Sequence, residues 1–238
     1  STHQVEIRKE GYVDYKTTLT PHSGAAQQIR VKMKTLRQAR LESIKPVLTS
    51  SAGQTLKLFY PGQFTMGASR REPGRRANET QREIKLTRPF YLSLREITNA
   101  EYRKFSGDHS SGLVQGKTIS ADKQPVARIT WEQAALYCNW LSRQDDLTPF
   151  YKVEADRVKG MNPVANGYRL PTEAEWAWAA RVREEGSQLK FPWGEDMPPP
   201  AKHGNYADES AGGILGRIIR GYDDGHPVSA PVASFAAN

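Results

Sequence analysis

The stretch from Gly167 to Arg181, GYRLPTEAEWAWAAR, constrains this chain more than any other. It reads as a boundary. An extended segment stops at Pro171 and a helix begins there, because the fixed φ of proline suits the first helical turn. Thr172 can cap that turn, and Glu173 and Glu175 suit its positive end. Ala174, Trp176, Ala177, Ala179 and Ala180 then give an apolar, alanine-rich helix.

Similar punctuation recurs along the chain. Phe64-Thr65-Met66-Gly67 reads as a strand, and Glu79 through Phe90-Tyr91-Leu92 as a partner strand fed by a charged loop. In Arg95–Phe105, Thr98 or Asn99 can serve as N-cap, and Tyr102 and Phe105 fall three apart on one helical face. Pro125-Val126 with Ile129-Thr130-Trp131 reads as a strand, followed by a helix from Glu132 to Ser142 whose apolar side is Ala135, Tyr137, Cys138 and Leu141. Phe191-Pro192-Trp193-Gly194 and the turn Ala230-Pro231-Val232 complete the series.

In this order and at this spacing, the segments closely resemble the formylglycine-generating enzyme (sulfatase-modifying factor) family, over roughly residues 55–238. The resemblance implies an α+β fold: an irregular, loop-rich arrangement related to C-type lectins. It also implies a departure. Family members continue past the A-P-V turn into a "G-L-Y-D-M-x-G-N-V-W-E-W" run, and then into the paired cysteines that hold copper in the oxidases. Soft thiolates are the ligands that select Cu(I). The single cysteine here, Cys138, reads as a buried small hydrophobe. The leading expectation is therefore a non-catalytic binding or scaffold protein of the bacterial envelope, an accessory factor of a signalling or secretion assembly. The alternative is a copper-dependent oxidase acting on sulfatase cysteines, with its catalytic segment beyond Asn238. The sequence leaves both open. An iron-dependent branch of the family uses a histidine cluster. His3, His22, His109, His203 and His226 have no helical spacing that would gather them on one face.

The family also binds calcium structurally. Carried over residue by residue, the resemblance implies one site made by Asn205 with the carbonyl of Tyr206, and Asp224 with the carbonyl of His226. Asp223 takes the place of Asp224 if the alignment slips by one. Such a site suits calcium, which wants six to eight oxygens from flexible loops. The competing reading is that Asn205 and Asp224 satisfy loop backbone, as Asn and Asp do in turns.

Residues 1–34 alternate as a small antiparallel sheet. Val5 and Ile7 form one strand, and Tyr12 to Leu19 follow a turn at Glu10-Gly11. A second turn at Thr20–Gly24 leads to the alternation of Ile29, Val31 and Met33 with Arg30, Lys32 and Lys34. The order resembles the PEGA domain, a short β-module found mostly on extracytoplasmic bacterial proteins. Residues 35–46 read as a helix ended by Pro46, residues 49–53 as a linker, and residues 54–238 as the main domain.

Net charge is +8. The first fifty residues carry nine basic against four acidic side chains, so the excess concentrates there. Such a field favours a protein partner, an acidic surface or an anionic polymer. No reading helix or set of stacking aromatics accompanies it, so no nucleic acid is expected. Arg70-Arg71-Glu72-Pro73-Gly74-Arg75-Arg76 reads as an exposed charged loop, with a patch for an acidic partner as its alternative. The five tryptophans, Trp131, Trp140, Trp176, Trp178 and Trp193, read as core and loop anchors. No run of eighteen apolar residues is present, so no transmembrane helix is expected. The initial Ser reads as a processed or trimmed start. The PEGA resemblance and the envelope role that the family resemblance suggests imply a place outside the cytoplasm, in the periplasm or at the envelope.

Overall fold

The computed structural model describes residues 2–21, 24, 28–72, 74–183 and 186–237. The chain divides into two compact units, Ser1–Pro46 and Val47–Asn238.

In the first unit, β1 (His3–Ile7) and β2 (Tyr15–Leu19) pair antiparallel, with His3 opposite Leu19 and Ile7 opposite Tyr15. Gly11 takes φ 78° in the connecting turn, where a side chain would be strained. α1 (Leu36–Glu42) follows, shorter than the stretch to Pro46 that the sequence suggests. The run around Ile29–Met33, expected as a third strand, is extended but unpaired. Its end meets the unit through a Tyr12–Thr35 bridge, the Val13 amide donating to the Lys34 carbonyl at 2.9 Å, and a Lys34–Glu42 ion pair at 2.6 Å. Residues 8–14 leave the hairpin ladder to make the turn, so they offer no continuous edge for it. The expected turn at residues 20–24 includes His22 and Ser23, which lie outside the described residues.

The second unit is assembled from short pieces. β3 (Val47–Thr49) and β4 (Thr55–Phe59) form a hairpin where a linker was expected. β5 (Gly62–Met66) pairs with β6 (Arg82–Leu86), placing Phe64 opposite Ile84. β7 (Phe90–Ser93) joins β4, giving a three-stranded sheet in the order β3-β4-β7. Then come α2 (Asn99–Arg103), the small hairpin β8 (Leu113–Val114) and β9 (Lys117–Thr118), and α3 (Trp131–Gln144). The hairpin β10 (Tyr151–Glu154) and β11 (Arg157–Met161) precedes α4 (Glu173–Arg181). Among the described residues no sheet exceeds three strands. This is an α+β fold of the irregular kind the sequence suggested.

α3 is the centre of packing. Tyr137 and Leu141 face α2, forming a cluster with Ala52 and Tyr102 that Phe105, Trp140 and Tyr168 flank. Ala135 and Cys138 face the β10–β11 hairpin and pack on Tyr151. All four apolar positions read from the sequence are thus buried. Tyr102 and Phe105 meet edge to face at 5.6 Å between centroids. Aromatic pairs of this kind add about 0.5–1.5 kcal/mol beyond the area they bury.

With so little sheet, side chains complete much of the backbone hydrogen bonding. Asn139 pairs with Tyr151 as a strand neighbour would: its Nδ2 donates to the Tyr151 carbonyl at 2.7 Å and its Oδ1 accepts the Tyr151 amide at 3.1 Å. The extended segment before Pro171 forms no strand. Its Tyr168 amide donates to Ser142 Oγ at 2.8 Å and its Leu170 amide to the Tyr151 hydroxyl at 3.1 Å. Residues 125–131, expected as a strand, make only a Thr98–Pro125 bridge. The reason is Asn99, which is fully buried. Its Nδ2 faces the carbonyls of Ile119, Ala121 and Gln124 at 3.0–3.1 Å and its Oδ1 accepts from Ser111. Ser111 Oγ in turn accepts the Ala127 amide at 2.9 Å, and Arg128 turns to φ 56°. The polar groups a ladder would use are already taken.

Candidate functional site

Every α-helix described here begins with the same device. Thr35, Thr98, Thr130 and Thr172 are N-caps, and Gln38, Glu101, Gln133 and Glu175 at N3 return a bond to the cap amide. This reciprocal pair satisfies two donors that a helix start leaves open. Two of the four boxes carry more. In the pattern R-x-x-T-x-x-E, Arg95 forks onto Glu101 at 2.9 and 3.3 Å, and Arg169 onto Glu175 at 2.6 and 2.8 Å. The boxes with a neutral Gln have no such arginine six residues before. A buried carboxylate needs a counter-charge, and a buried amide does not. At Glu175 burial opposes ionisation, but the Arg169 fork and the Thr172 donors outweigh it, holding the carboxyl below its ordinary range. The same fork raises Arg169. These clamps set where α2 and α4 start and how the loops enter them.

The calcium-type residues lie on two loops past α4. Phe191 and Trp193 stack at 5.1 Å, Trp193 meets Tyr206 edge-on at 5.6 Å, and Tyr206 meets Tyr222 at 6.0 Å. The Tyr222 hydroxyl donates to the Gly204 carbonyl at 2.7 Å. This aromatic run holds the two loops against each other and brings the four expected residues together. Asn205 Nδ2 lies 3.4 Å from the His226 carbonyl and 2.8 Å from that of Val228. Asp224 accepts the Tyr206 amide at 2.8 Å and the His226 amide at 2.7 Å. Asp223, the alternative, only accepts the amide of Gly225 at 2.9 Å.

Asp208 belongs to this site and was not read from the sequence. It is fully buried and accepts the Asp224 amide at 2.6 Å and the Ser210 hydroxyl at 2.6 Å. Burial works against its charge, but the Ser210 and Asp224 donors prevail and keep its carboxyl low. The signal available was its position two residues before Ser210, where an Asp closes a short turn on itself.

The donor set is hard and all oxygen: one amide oxygen, one carboxylate and two carbonyls. That chemistry fits calcium, with water to complete the shell. The same contacts also close the loops by hydrogen bonding alone. Among the described residues no group of three or more His, Cys, Asp or Glu side chains is placed to hold a metal.

Cys138 sits on the inner side of α3 against Tyr151. It is buried, and desolvation pushes its thiol up to about 12. A thiol that stays protonated is neither a nucleophile nor a soft ligand. His109 is engaged in the fold, within 3.2 Å of the Ala127 carbonyl and against the Tyr102 ring. Trp131 and Trp176 correct the sequence reading. They are 52% and 60% exposed, whereas Trp140, Trp178 and Trp193 are half-buried anchors. Trp131 opens α3 and meets Tyr151 edge-on at 5.5 Å, and Trp176 lies on the exposed side of α4.

Short paired strands around a central helix, clamped helix starts and two loops closed by aromatic contacts together define a formylglycine-generating-enzyme-like fold. The sulfatase-modifying factor enzyme 1-like domain matches residues 45–238, and the chain belongs to that family. The chain is similar to the "Chaperone protein LppX" of Paenibacillus barcinonensis, 36% identical over 116 residues that make up 43% of this chain and 39% of that one. It is also similar to the formylglycine-generating enzyme of Bos taurus, 29% identical over 199 residues, 74% of this chain and 51% of the enzyme. It therefore spans about half or less of these relatives. Among solved structures, PvdO from Pseudomonas aeruginosa shares the fold, with a TM-score of 0.57 and 24% identity over 82% of this chain and 69% of PvdO. Among the described residues no helix is long and apolar enough to cross a membrane.

Proposed function

We propose that this chain is a non-catalytic member of its family, a binding or scaffold component acting outside the cytoplasm as an accessory factor of an envelope signalling or secretion assembly. The observation that carries this reading is Cys138. It is the one cysteine of the chain, and its thiol is buried on α3 and held protonated. The oxidase chemistry of the family needs two thiolates on copper, and this chain supplies none that is free. The relative LppX, named a chaperone, supports a role in handling other proteins. The PEGA-like motif of the leading unit supports the extracytoplasmic setting. In this reading calcium staples the loops through Asn205, Tyr206, Asp224 and His226.

The test is competition for Cu(I) against a chromophoric chelator. The expected result is no withdrawal of copper by the chain. Stoichiometric withdrawal would mean that it holds an oxidase-type site. Calcium is checked separately: excess EGTA should lower the melting temperature, and an unchanged melt with no calcium by elemental analysis would remove the staple from the account. The second reading, a copper oxidase whose thiolates lie outside this chain, is favoured by the match to the bovine enzyme over 74% of the chain.

A further inference from the structure

A cavity of about 480 Å³ opens beside α2, remote in sequence from the two calcium-type loops except at one wall. Its walls include Ala52 from the β3–β4 turn, Ala100 on α2, and Val232 with Ala233. That last wall is fixed. The Val232 amide donates to the Lys123 carbonyl at 2.8 Å, Gln124 Nε2 donates to the Ser229 carbonyl at 2.7 Å, and Ala233 takes φ 59°. Small side chains on three segments leave room that no described residue fills.

The charges around this opening do not balance locally. Glu101 is spent: it takes the Arg95 fork, the Thr98 amide and the Thr98 hydroxyl. Asp122, which also lines the opening, is paired with Arg103 at 2.8 Å. Two cations are left. Lys104 donates only to the Ala52 carbonyl, at 2.9 Å, and the exposed Lys123 ammonium has no ion pair among the described residues. An apolar hollow flanked by two unneutralised ammonium groups suits an apolar group with carboxylates beside it.

We propose that this cavity is the docking site for an acidic peptide segment of a partner protein, one that seats a small aliphatic side chain between carboxylates directed at Lys104 and Lys123. The proposal rests on the scaffold reading above and names where the partner is held. An anionic polymer or lipid surface would meet the lysines but leave the hollow empty, so a peptide is the occupant that uses both features.

The experiment uses the full chain and a fluorescein-labelled hexapeptide of alternating valine and aspartate, read by anisotropy, with amide resonances mapped in parallel. Binding should weaken with salt, as exposed charge pairs do. It should also vanish for the valine–asparagine version of the peptide. Lys123→Ala, whose side chain holds nothing in place, should weaken binding about fivefold, the worth of one exposed ion pair. Lys104→Ala should do the same, and Lys123→Glu should do more. Shifts should concentrate at Ala100, Val232 and Ala233. No binding up to about 1 mM, binding indifferent to Lys123 or to the carboxylates, shifts elsewhere, or dextran sulfate binding at these lysines where the peptide does not, would each overturn the docking site. None of these outcomes touches the scaffold reading, which fails instead if the chain takes up Cu(I) or oxidises a substrate cysteine.

Discussion

Replacing the buried Glu175 by Ala should be among the more damaging single changes to this fold. Glu175 is 8% exposed, and its carboxylate accepts the Thr172 amide at 2.9 Å and both arms of Arg169. Losing the Glu175 half of the capping box costs up to about 1 kcal/mol, since the backbone amide of residue 175 still donates to Thr172 Oγ1. Losing the fork strands Arg169, whose side chain is 30% exposed and keeps the Leu170 carbonyl and the Phe150 ring as neighbours. Breaking a fully buried pair costs about 3–5 kcal/mol, and partial solvation reduces this to roughly 1–2. The total is about 2–3 kcal/mol, which for a domain of this size lowers Tm by roughly 5–10 °C. Glu175→Gln should recover the cap but not the fork, and so lie about midway. The pH dependence follows from the depressed carboxyl. Its stabilisation is fully present above the unfolded value, about 4.3, and is lost as pH falls through the lower folded value. Urea denaturation of the wild type and Glu175→Gln between pH 7 and pH 3 checks this. The gap between them should close as pH falls. A gap that persists at the acid end, or a Gln variant as unstable as the Ala variant at pH 7, would refute the clamp.

Three further outcomes are expected. Asn99→Asp places a carboxylate among the carbonyls of Ile119, Ala121 and Gln124; it should cost about 3 kcal/mol or more in urea at pH 7, since a buried unpaired charge is involved, and a neutral effect would mean that Asn99 does not organise the 119–127 loops. Gly167→Ala puts a Cβ against the Thr148 carbonyl and 2.5 Å from Ser142 Oγ; overpacking of this kind costs about 1–3 kcal/mol and should appear as a lower denaturation midpoint with unchanged m-value. Cys138 should react with a disulfide reagent only upon unfolding, because its thiol is buried and pushed up to about 12; rapid modification of the native chain at pH 8 would contradict its burial.

The helices were legible because their signals are local. Pro171 and Thr172 announce α4, and the apolar spacing of Ala135, Cys138 and Leu141 announces the inner side of α3. A finer signal was also present, the threonine followed three residues later by Glu or Gln, four times over, which fixes each start and singles out Thr98 over Asn99 as the cap of α2. The stretch 125–131, expected as a strand, and the extended segment before Pro171 form no ladder because side chains match their backbone groups: Asn99 and Ser111 for the first, Ser142 and Tyr151 for the second. Those partners lie far off in sequence, so no window on the strand itself contains them. The candidate loop site came from motif resemblance, which named Asn205 and Asp224. Asp208 escaped because its value lies in being buried under Asp224, a tertiary fact. The cavity beside α2 was invisible for the same reason, since its walls come from residues near 52, 100, 123 and 232.

The central proposal is that this chain is a non-catalytic member of its family. The most direct measurement is to incubate the purified chain with copper, oxygen, a thiol reductant and a cysteine peptide patterned on a sulfatase, and to look for aldehyde by hydrazide labelling and mass spectrometry. The account predicts unmodified cysteine after prolonged incubation; peptide aldehyde that accumulates with time and scales with the concentration of the chain would contradict it.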